Sequence, residues 1–556
     1  MSIDAAGITD IVEEGFRAYQ RRERALTARA FVRFEARDWA SGRKDALERI
    51  DAYGISLDQT IERLKAEGFT TAQRSEWSKA RDAFAEIYRD DPFVDIAETY
   101  FNSLARKIFT TAGIDPMLEF LSDPDDPRRE AMPVTRIYDA TTGSTRWIHE
   151  VARDCRFHVS WADMNRDVVA AIERFPFQPV EVEIVNRLFF RGRAAYLVGS
   201  FTDGEDTVPF AFAIRHAARG IRIAAVMIGE ADVSILFSYT RAAFQVASDA
   251  PRDLVDFLSE LLPHRADAEL WAAIGYRKQA KTERYRDIMR YLDTSDDVFE
   301  PAPGVPGLVM VVFTLAGYGV VFKVVRDHFP PQKSVTPSQV AQRYQLVARH
   351  DRAGRLVEAQ RFHDLRLPAD RFRSDVLDEL VSEASRNVTV TGDQVNFATI
   401  YVERRVTPLD IHIRVSDPAE AERAIIDYGA AIKNLAASNI FPGDMLLKNF
   451  GVTSRGRVVF YDYDELTELT ECRFRRFPSS GDGFDDLAPT PSFGIGPNDV
   501  FPEELPRFLG LNDELRRAFY DRHADLFEPE FWLDVQRRIE SGETIEILPY
   551  RRSRTL

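Results

Sequence analysis

Residues 439–464 constrain the fold of this chain more than any other segment. Asp444 and Asn449 stand five positions apart, and an apolar run after them ends at Asp462. Upstream, Asp417 is a good N-cap residue, and the proline after it suits the first position of a helix. The pattern therefore predicts a long helix, a polar loop and a short buried strand in succession.

These residue types suit phosphoryl transfer. That chemistry needs a carboxylate to accept the proton of the attacking hydroxyl, and oxygen ligands for a divalent ion. The spacing D-x₄-N is that of a protein-kinase catalytic loop, so Asp444 is the candidate catalytic residue. The candidate metal ligands are Asn449, Asp462 and Asp464. Taken singly, Asp444 is better explained as part of a turn and Asp462 as the end of a strand, and only the combination favours a site.

A glycine-bearing loop and a lysine precede this segment. The loop consists of Ala302, Pro303, Gly304, Val305, Pro306, Gly307 and Leu308. Its glycines allow backbone N–H groups to approach a phosphate, although the full G-x-G-x-x-G pattern is absent. After a strand at Leu308–Leu315, Lys323 lies within the apolar strand Val320–Val325. An unpaired buried ammonium is costly, so such a lysine either extends its charged end to the surface or has an anionic partner, which a nucleotide phosphate would be. On spacing alone, Asp351 and Glu358 are both candidates for a carboxylate partner.

The remaining sequence predicts an α+β protein of two domains. Residues 1–300 are predicted to be mostly helical, with a strand-rich part at about 181–239. An acidic, Pro- and Gly-containing stretch at 293–305 marks the boundary. Residues 301–556 are predicted to form a two-lobed catalytic domain. The loop at 478–499, rich in Gly, Pro, Ser and Asp, is a candidate substrate-docking element.

Composition excludes several classes. A formal charge of −16 argues against binding to nucleic acid or to an anionic membrane. Two cysteines, Cys155 and Cys472, cannot form a disulfide framework, so we expect a protein of the reducing cytoplasm with inert thiols. No run of eighteen apolar residues is present, which predicts a soluble chain. The short basic run 473–476 is interpreted as a solvated face that would suit an acidic partner.

The C-terminal half closely resembles the isocitrate dehydrogenase kinase/phosphatase family, whose catalytic domain is a divergent protein kinase. Long, unusual strings carry this resemblance across roughly residues 300–556. They include PGVPGLVM from Pro303, VFKV from Val321, YQLV from Tyr344, HDRAGR from His350, YVERR from Tyr401, NIFPGDMLLKNFGV from Asn439, GRVVFYDYDE from Gly456, DVFPEE from Asp499 and HADLF from His523. Residues 1–300 look compatible with the family's helical regulatory region.

The resemblance implies a bifunctional enzyme. It would phosphorylate a serine of isocitrate dehydrogenase and remove that phosphate again, controlling flux between the citric acid cycle and the glyoxylate bypass. It implies ATP and Mg²⁺, with Mn²⁺ as a substitute, AMP or ADP as an effector, and a homodimer as one arrangement. By matching position, residues 302–308 form the ATP loop and Lys323 contacts phosphate. Asp444 is then the catalytic aspartate, and Asn449 and Asp462 bind metal with Asp464 close by.

One position departs from the family. An aspartate tied to phosphatase activity follows the HDRAGR-like string in the family, and Glu358 stands there in this chain. The carboxylate is kept but reaches one methylene further. The alternative interpretation of Glu358 is an exposed carboxylate on a helix.

Two other functions use the same residues. A small-molecule phosphotransferase has a related two-lobed scaffold, and a pseudokinase binds nucleotide without turnover. The intact Lys323, Asp444, Asn449 and Asp462 argue against the pseudokinase, and the resemblance favours the protein kinase/phosphatase.

Overall fold

The computed structural model describes residues 3–111, 113–121, 129–141, 145–238, 243–331, 333, 335–350, 352–476, 496, 498–550 and 554–556. The chain divides into two compact units. One comprises Met1–Asp296 together with Leu548–Leu556, and the other comprises Asp297–Ile547. No helix within the described ranges has both the length and the apolar character needed to cross a bilayer.

The first unit begins with four long helices, as the apolar periodicity predicts. Asp4 caps the first of them by accepting a hydrogen bond from the backbone N–H of Gly7. Their buried faces share one core with the helices that lie between Glu230 and Thr294. The helices of this unit are α1 (Ala5–Ala36), α2 (Trp39–Ala66), α3 (Arg74–Tyr88), α4 (Val94–Phe109), α5 (Arg146–Asp154), α6 (Met164–Ile172), α7 (Glu230–Leu236), α8 (Pro251–Leu261), α9 (Asp267–Ala273) and α10 (Arg277–Thr294).

An antiparallel sheet lies between two cores of this unit. Its strands are β1 (Thr135–Asp139), β2 (Glu181–Val185), β3 (Phe189–Arg191), β4 (Ala194–Thr202), β5 (Thr207–Ala217) and β6 (Gly220–Ile228). They are ordered β1-β2-β4-β5-β6, with β3 also paired to β4. Along β5, Ala211 and Ala213 face one core while Phe210 and Phe212 face the other, because successive strand residues point to opposite sides. The strand-rich part was predicted; β1, α5 and α6 were not.

The second unit starts with an antiparallel sheet that holds the predicted lysine strand. The strands are β7 (Phe299–Pro301), β8 (Met310–Leu315), β9 (Val320–Val325), β10 (Ala359–Pro368), β11 (Val388–Thr391) and β12 (Gln394–Arg404). Their order is β10-β12-β9-β8-β7, with β11 paired to β12. Two helices belong to this part of the chain, α11 (Pro337–His350) and α12 (Ser374–Glu383).

The rest of the second unit is mainly helical, with short two- and three-residue strands. Its helices are α13 (Leu409–Val415), α14 (Pro418–Ala437), α15 (Leu505–Phe508), α16 (Asp513–His523) and α17 (Pro529–Glu540). Its strands are β13 (Thr407–Pro408), β14 (Ile440–Phe441), β15 (Phe450–Val452), β16 (Val458–Phe460), β17 (Thr467–Glu468), β18 (Arg473–Phe474) and β19 (Asp499–Val500). Helical and strand parts together make an α+β unit, the predicted class.

Helix α14 packs into the core of the second unit. It begins as predicted, with the Asp417 side chain accepting from the N–H of Glu420 and a proline at the first position. The predicted apolar face is fully buried in the core of the unit, at Ile425, Tyr428, Ile432 and Leu435. Since the Tyr428 hydroxyl donates to the carbonyl of Met445, the helix also holds the loop that follows it.

Candidate active site

Lys323 lies in the middle of strand β9, with neighbours on both sides. In the strand register it stands opposite Val312 of β8 and Tyr401 of β12. Its side chain is 9% exposed, and Nζ lies 2.7 Å from Oε2 of Glu403. Nζ also donates to the carbonyl oxygen of Tyr461 at 2.9 Å. The buried ammonium therefore has an anionic partner, which is one of the two alternatives that the sequence offered.

That partner is neither of the two candidates chosen on spacing. Glu403 provides it, because the residue two positions beyond Tyr401 on β12 lies on the same face of the sheet as Lys323. The expectation of Glu358 as the partner was wrong, and Asp351 lies outside the described residues. Glu403 stands in the string YVERR, but nothing in its spacing pointed to Lys323.

The glycine-bearing loop connects β7 to β8 and is mostly exposed. Gly304 has φ +118°, a conformation that glycine adopts readily, and lies near Pro408 of β13. Gly307 accepts a hydrogen bond from the Arg326 guanidinium at 3.1 Å. Of the seven residues assigned to this loop, Ala302 and Gly307 are partly covered and the others are open to solvent.

The loop after α14 carries Asp444 and Asn449 on a tight backbone. Asn449 is buried and its amide donates to the carbonyl of Asp444 at 3.3 Å. Asp444 is half-buried, and its Oδ1 accepts from the N–H of Leu446 at 3.0 Å. Gly443 has φ +78°, and a Cβ there would come within 2.4 Å of the carbonyl oxygen of Glu465. The loop is thus packed directly against the residues that follow Asp462.

Strands β15 and β16 bring the metal-ligand candidates together. Phe450 pairs with Phe460, and the N–H of Tyr461 donates to the carbonyl of Asn449 at 3.2 Å. Asn449 and Asp462 are therefore neighbours across the end of this hairpin. Asp462 also lies close enough to Lys323 and Asp444 to interact electrostatically with both. The predicted set, apart from the loop 302–308 and Glu358, converges on one place.

The tyrosine between the two aspartates is a packing residue. Tyr463 is fully buried, donates its hydroxyl to the carbonyl of Val357, and contacts the rings of Tyr344 and Phe460. With this ring fixed, the backbone on either side of it holds Asp462 and Asp464 in the site.

Three carboxyl groups in and beside the site have raised pKa values. Burial raises the pKa of Asp462, although Lys323 and Lys333 oppose that effect. Burial and the charge of Asp462 raise the pKa of Asp464 to about 7. Burial also raises the pKa of Glu403 against the attraction of Lys323. Such shifts are typical of catalytic and metal-binding sites.

Glu358 lies directly before strand β10 and is half-buried, so the alternative of an exposed helical carboxylate was wrong. The preceding backbone runs beside β16. Leu356 forms a parallel bridge with Phe460, and the N–H of Val357 donates to the carbonyl of Phe460 at 3.1 Å. In this parallel register Glu358 follows Leu356 by two positions, as Asp462 follows Phe460 by two positions.

Two arginines of the basic run 473–476 form ion pairs within the second unit. Arg475 pairs with Asp499 at 2.6 Å, and Arg476 pairs with Glu528 and Glu530. All three arginines of the run remain exposed, which agrees with the interpretation as a solvated face. Most of the candidate docking loop, residues 478–495 and 497, lies outside the described residues.

The donor set fits a magnesium–nucleotide complex. Among the described residues, no three His, Cys, Asp or Glu side chains form a ready-made metal cluster. Asn449 and Asp462 offer two oxygen ligands, and Mg²⁺ ordinarily binds through one or two carboxylates together with phosphates and water. With Lys323 beside them, these residues would hold a divalent ion on a nucleotide's phosphates.

Comparison with known proteins covers both units. Residues 297–552 match the "Isocitrate dehydrogenase kinase/phosphatase (AceK) kinase domain", and residues 9–296 match the "Isocitrate dehydrogenase kinase/phosphatase (AceK), regulatory domain". The chain belongs to the isocitrate dehydrogenase kinase/phosphatase family. The boundary between the two family domains falls where the chain divides into its two units.

Relatives in this family align over nearly their whole length. The isocitrate dehydrogenase kinase/phosphatase of Anaeromyxobacter dehalogenans (strain 2CP-C) is 42% identical, over 99% of this chain and 98% of its own. That of Xanthomonas campestris pv. campestris (strain 8004) is 39% identical over 98% and 96%. That of Pectobacterium carotovorum subsp. carotovorum (strain PC1) is 37% identical over 98% and 94%. The resemblance inferred from the C-terminal strings is confirmed and extends through the regulatory region.

Proposed function

We propose that this protein uses ATP to phosphorylate a serine of isocitrate dehydrogenase and that the same site removes the phosphate. One observation carries the proposal. Four side chains from separate segments of the chain lie together at one place in the second unit: Lys323, Asp444, Asn449 and Asp462. Family membership supplies the substrate, since the relatives are named for isocitrate dehydrogenase.

In the kinase direction, each residue has one task. Asp444 orients the serine hydroxyl and takes its proton as the oxygen–phosphorus bond forms and the bond to the leaving ADP breaks. Lys323, held by Glu403, contacts the phosphates. Asn449 and Asp462 hold the divalent ion, which neutralises charge on the phosphates when bound. The exposed loop 302–308 covers the nucleotide with backbone N–H groups.

In the phosphatase direction, water replaces the serine hydroxyl. Glu358 takes a proton from water as the water oxygen forms a bond to phosphorus. The phosphorus–serine bond breaks, and Asp444, which must begin this reaction in its carboxylic acid form, donates its proton to the serine oxygen. AMP or ADP acts as an effector of the balance between the kinase and phosphatase reactions. Residues 1–300 have the regulatory role. The protein acts in the cytoplasm.

The test mixes the full-length protein with isocitrate dehydrogenase, Mg²⁺ and ATP labelled on the γ-phosphate. We expect label on a serine of the dehydrogenase. Asp444→Asn abolishes transfer, because it removes the proton acceptor at nearly constant shape. Asp378→Asn, an exposed carboxylate on α12, is the matched control and keeps full transfer.

Two outcomes would overturn the proposal. Label on small hydroxyl compounds but not on the dehydrogenase favours a small-molecule phosphotransferase. ATP binding without transfer to either favours a pseudokinase. Chasing the labelled dehydrogenase with ADP or AMP then measures the phosphatase reaction separately.

A further inference from the structure

A second lysine reaches the metal-binding segment, from the connection between β9 and α11. Nζ of Lys333 lies 2.7 Å from Oε1 of Glu465 and 3.8 Å from Oδ2 of Asp464. Its side chain is only 16% exposed, and Asp462 is close enough to interact with it electrostatically. The Lys333–Glu465 pair is partly open to solvent, since the Glu465 side chain is 43% exposed. The approach to Asp464 is mostly buried, with Asp464 12% exposed, and is therefore less screened by solvent than a surface ion pair.

The charges around this segment are unevenly balanced. Asp462 and Asp464 lie together, and Glu465 and Asp444 add further negative charge nearby. Lys323 is paired with Glu403 and acts more strongly on Asp462 than Lys333 does, whereas Lys333 acts more strongly than Lys323 on Asp464. The attraction on Asp464 and Glu465 therefore comes chiefly from Lys333.

Arg343 of α11 adds a weaker contribution on the same side. It interacts with Glu465 and Asp464 through space, without an ion pair of 4 Å or less to either among the described residues. Its Nη1 is buried and has no hydrogen-bond partner in the described part of the chain. Lys333 and Arg343 therefore both place positive charge near Asp464 and Glu465.

We propose that Lys333 is a positioning residue that sets the electrostatic potential at the metal- and phosphate-binding end of the site, and so balances divalent-ion affinity against nucleotide affinity. The inference rests on the proposed function for its ligand class. Lys333 holds Asp464 and Glu465 by charge and leaves Asp462 and Asn449 free to take the ion. It acts through these carboxylates and takes no part in proton transfer.

A lost ammonium has opposite effects on the two ligands. Removing a positive charge makes the local potential more negative, so a cation binds more tightly and an anion more weakly. A variant that merely loosens the segment would weaken both. The sign of each change therefore separates an electrostatic role from a structural one.

The experiment uses the full chain without isocitrate dehydrogenase. Mn²⁺ binding is measured by the loss of its free paramagnetic resonance signal, and metal-free ADP binding by calorimetry. For Lys333→Met we expect Mn²⁺ to bind about fivefold more tightly and ADP about fivefold more weakly. Lys333→Arg keeps the charge and stays near wild type. Glu465→Gln shifts both affinities in the reverse directions.

Lys433→Met is the matched control, because Lys433 on α14 pairs with Asp525 and has no contact with the aspartates of the site. Unchanged affinities in Lys333→Met would reduce Lys333 to a surface ion pair and overturn the proposal. Weakening of both ligands would show a structural role and overturn it equally.

Failure of the proposed function is distinguishable from failure of this inference. Opposite shifts in Mn²⁺ and ADP affinity, with no label reaching isocitrate dehydrogenase, support the role of Lys333 and reject the protein substrate. Labelling of the dehydrogenase with shifts of the same sign supports the substrate and rejects the role of Lys333.

Discussion

The ammonium of Lys323 lies 2.7 Å from the carboxylate of Glu403, on the adjoining strand of the same sheet. In protein kinases generally, the corresponding lysine pairs with a glutamate of a mobile helix, and the position of that helix controls activity. Here both partners lie on paired strands, and the side chain of Tyr344 of α11 also lies close enough to Glu403 to stabilise its charged form.

Breaking this pair should cost both activity and stability. We expect Lys323→Met to lower kcat/KM for ATP by more than about 10²-fold, because a phosphate contact is lost. It should also destabilise the second unit by about 3–5 kcal/mol, since Glu403 is left buried and unpaired. Urea unfolding and kinase assays measure the two effects.

The double variant Lys323→Met/Glu403→Leu is its control. Replacing both charges with apolar groups should recover most of the lost stability but none of the activity. Recovery of activity would contradict the assignment of Lys323 to phosphate.

Asp427 should give the second unit a defined acid sensitivity. Burial opposes its ionisation, but the Arg355 guanidinium, 2.6 Å away, and the N–H of Val458 keep its pKa below the ordinary value. A carboxyl group whose pKa is lower in the folded than in the unfolded state stabilises the protein at pH values above its unfolded-state pKa. This stabilisation is lost as the pH falls through the folded-state pKa.

We expect Asp427→Asn to lower the free energy of unfolding by about 3–5 kcal/mol at pH 7. The gap between variant and wild type should narrow as pH falls below about 4. Urea midpoints at a series of pH values measure it. A gap that stays constant down to acid pH would mean that the charge of Asp427 contributes nothing.

Gly443 should be required for the position of Asp444. In Gly443→Ala the new Cβ meets the Glu465 carbonyl oxygen at 2.4 Å in addition to the strain of φ +78°. Gly456→Ala provides a control, because φ is +72° there and nothing lies within 4 Å. We expect about 1 kcal/mol of lost stability and unchanged kcat for Gly456→Ala. For Gly443→Ala we expect a further 1–3 kcal/mol, roughly, and a kcat lowered at least tenfold. Equal effects of the two substitutions would contradict this reading.

Glu358 should limit the phosphatase reaction. Glu358→Asp introduces the aspartate that the family resemblance implies at this position. We expect the rate of dephosphorylation to rise by up to about 10²-fold, because a misplacement of a catalytic group by near 1 Å costs about that much in rate. Glu358→Gln should abolish dephosphorylation while leaving the kinase reaction within about twofold. Release of labelled phosphate from the phosphorylated dehydrogenase measures both. An unchanged phosphatase rate in Glu358→Gln would remove Glu358 from the mechanism.

The two cysteines should be unreactive in the folded protein. Burial is the main reason that the pKa of Cys155 and of Cys472 rises to about 12, and the thiolate is the reactive form. A chromogenic disulfide reagent at pH 8 should find no reactive thiol in the native chain and both after unfolding. Rapid reaction of either in the native protein would contradict this expectation.

The sequence alone determined the chemical groups and the local elements. The N-cap of Asp417, the apolar face of α14, and the D-x₄-N spacing of Asp444 and Asn449 are short-range signals, because a helix period and a loop length are written within a few residues. They predicted the class of fold and most of the candidate site.

The tertiary structure alone decided which distant groups meet. Glu403 became the partner of Lys323 through the register of β9 against β12, and Glu358 came beside β16 through a parallel bridge. Lys333 reached Glu465 across the site, and neither residue carried a sequence signal for the other. Strand register and loop packing join residues far apart in the chain, so spacing along the sequence contains no information about them.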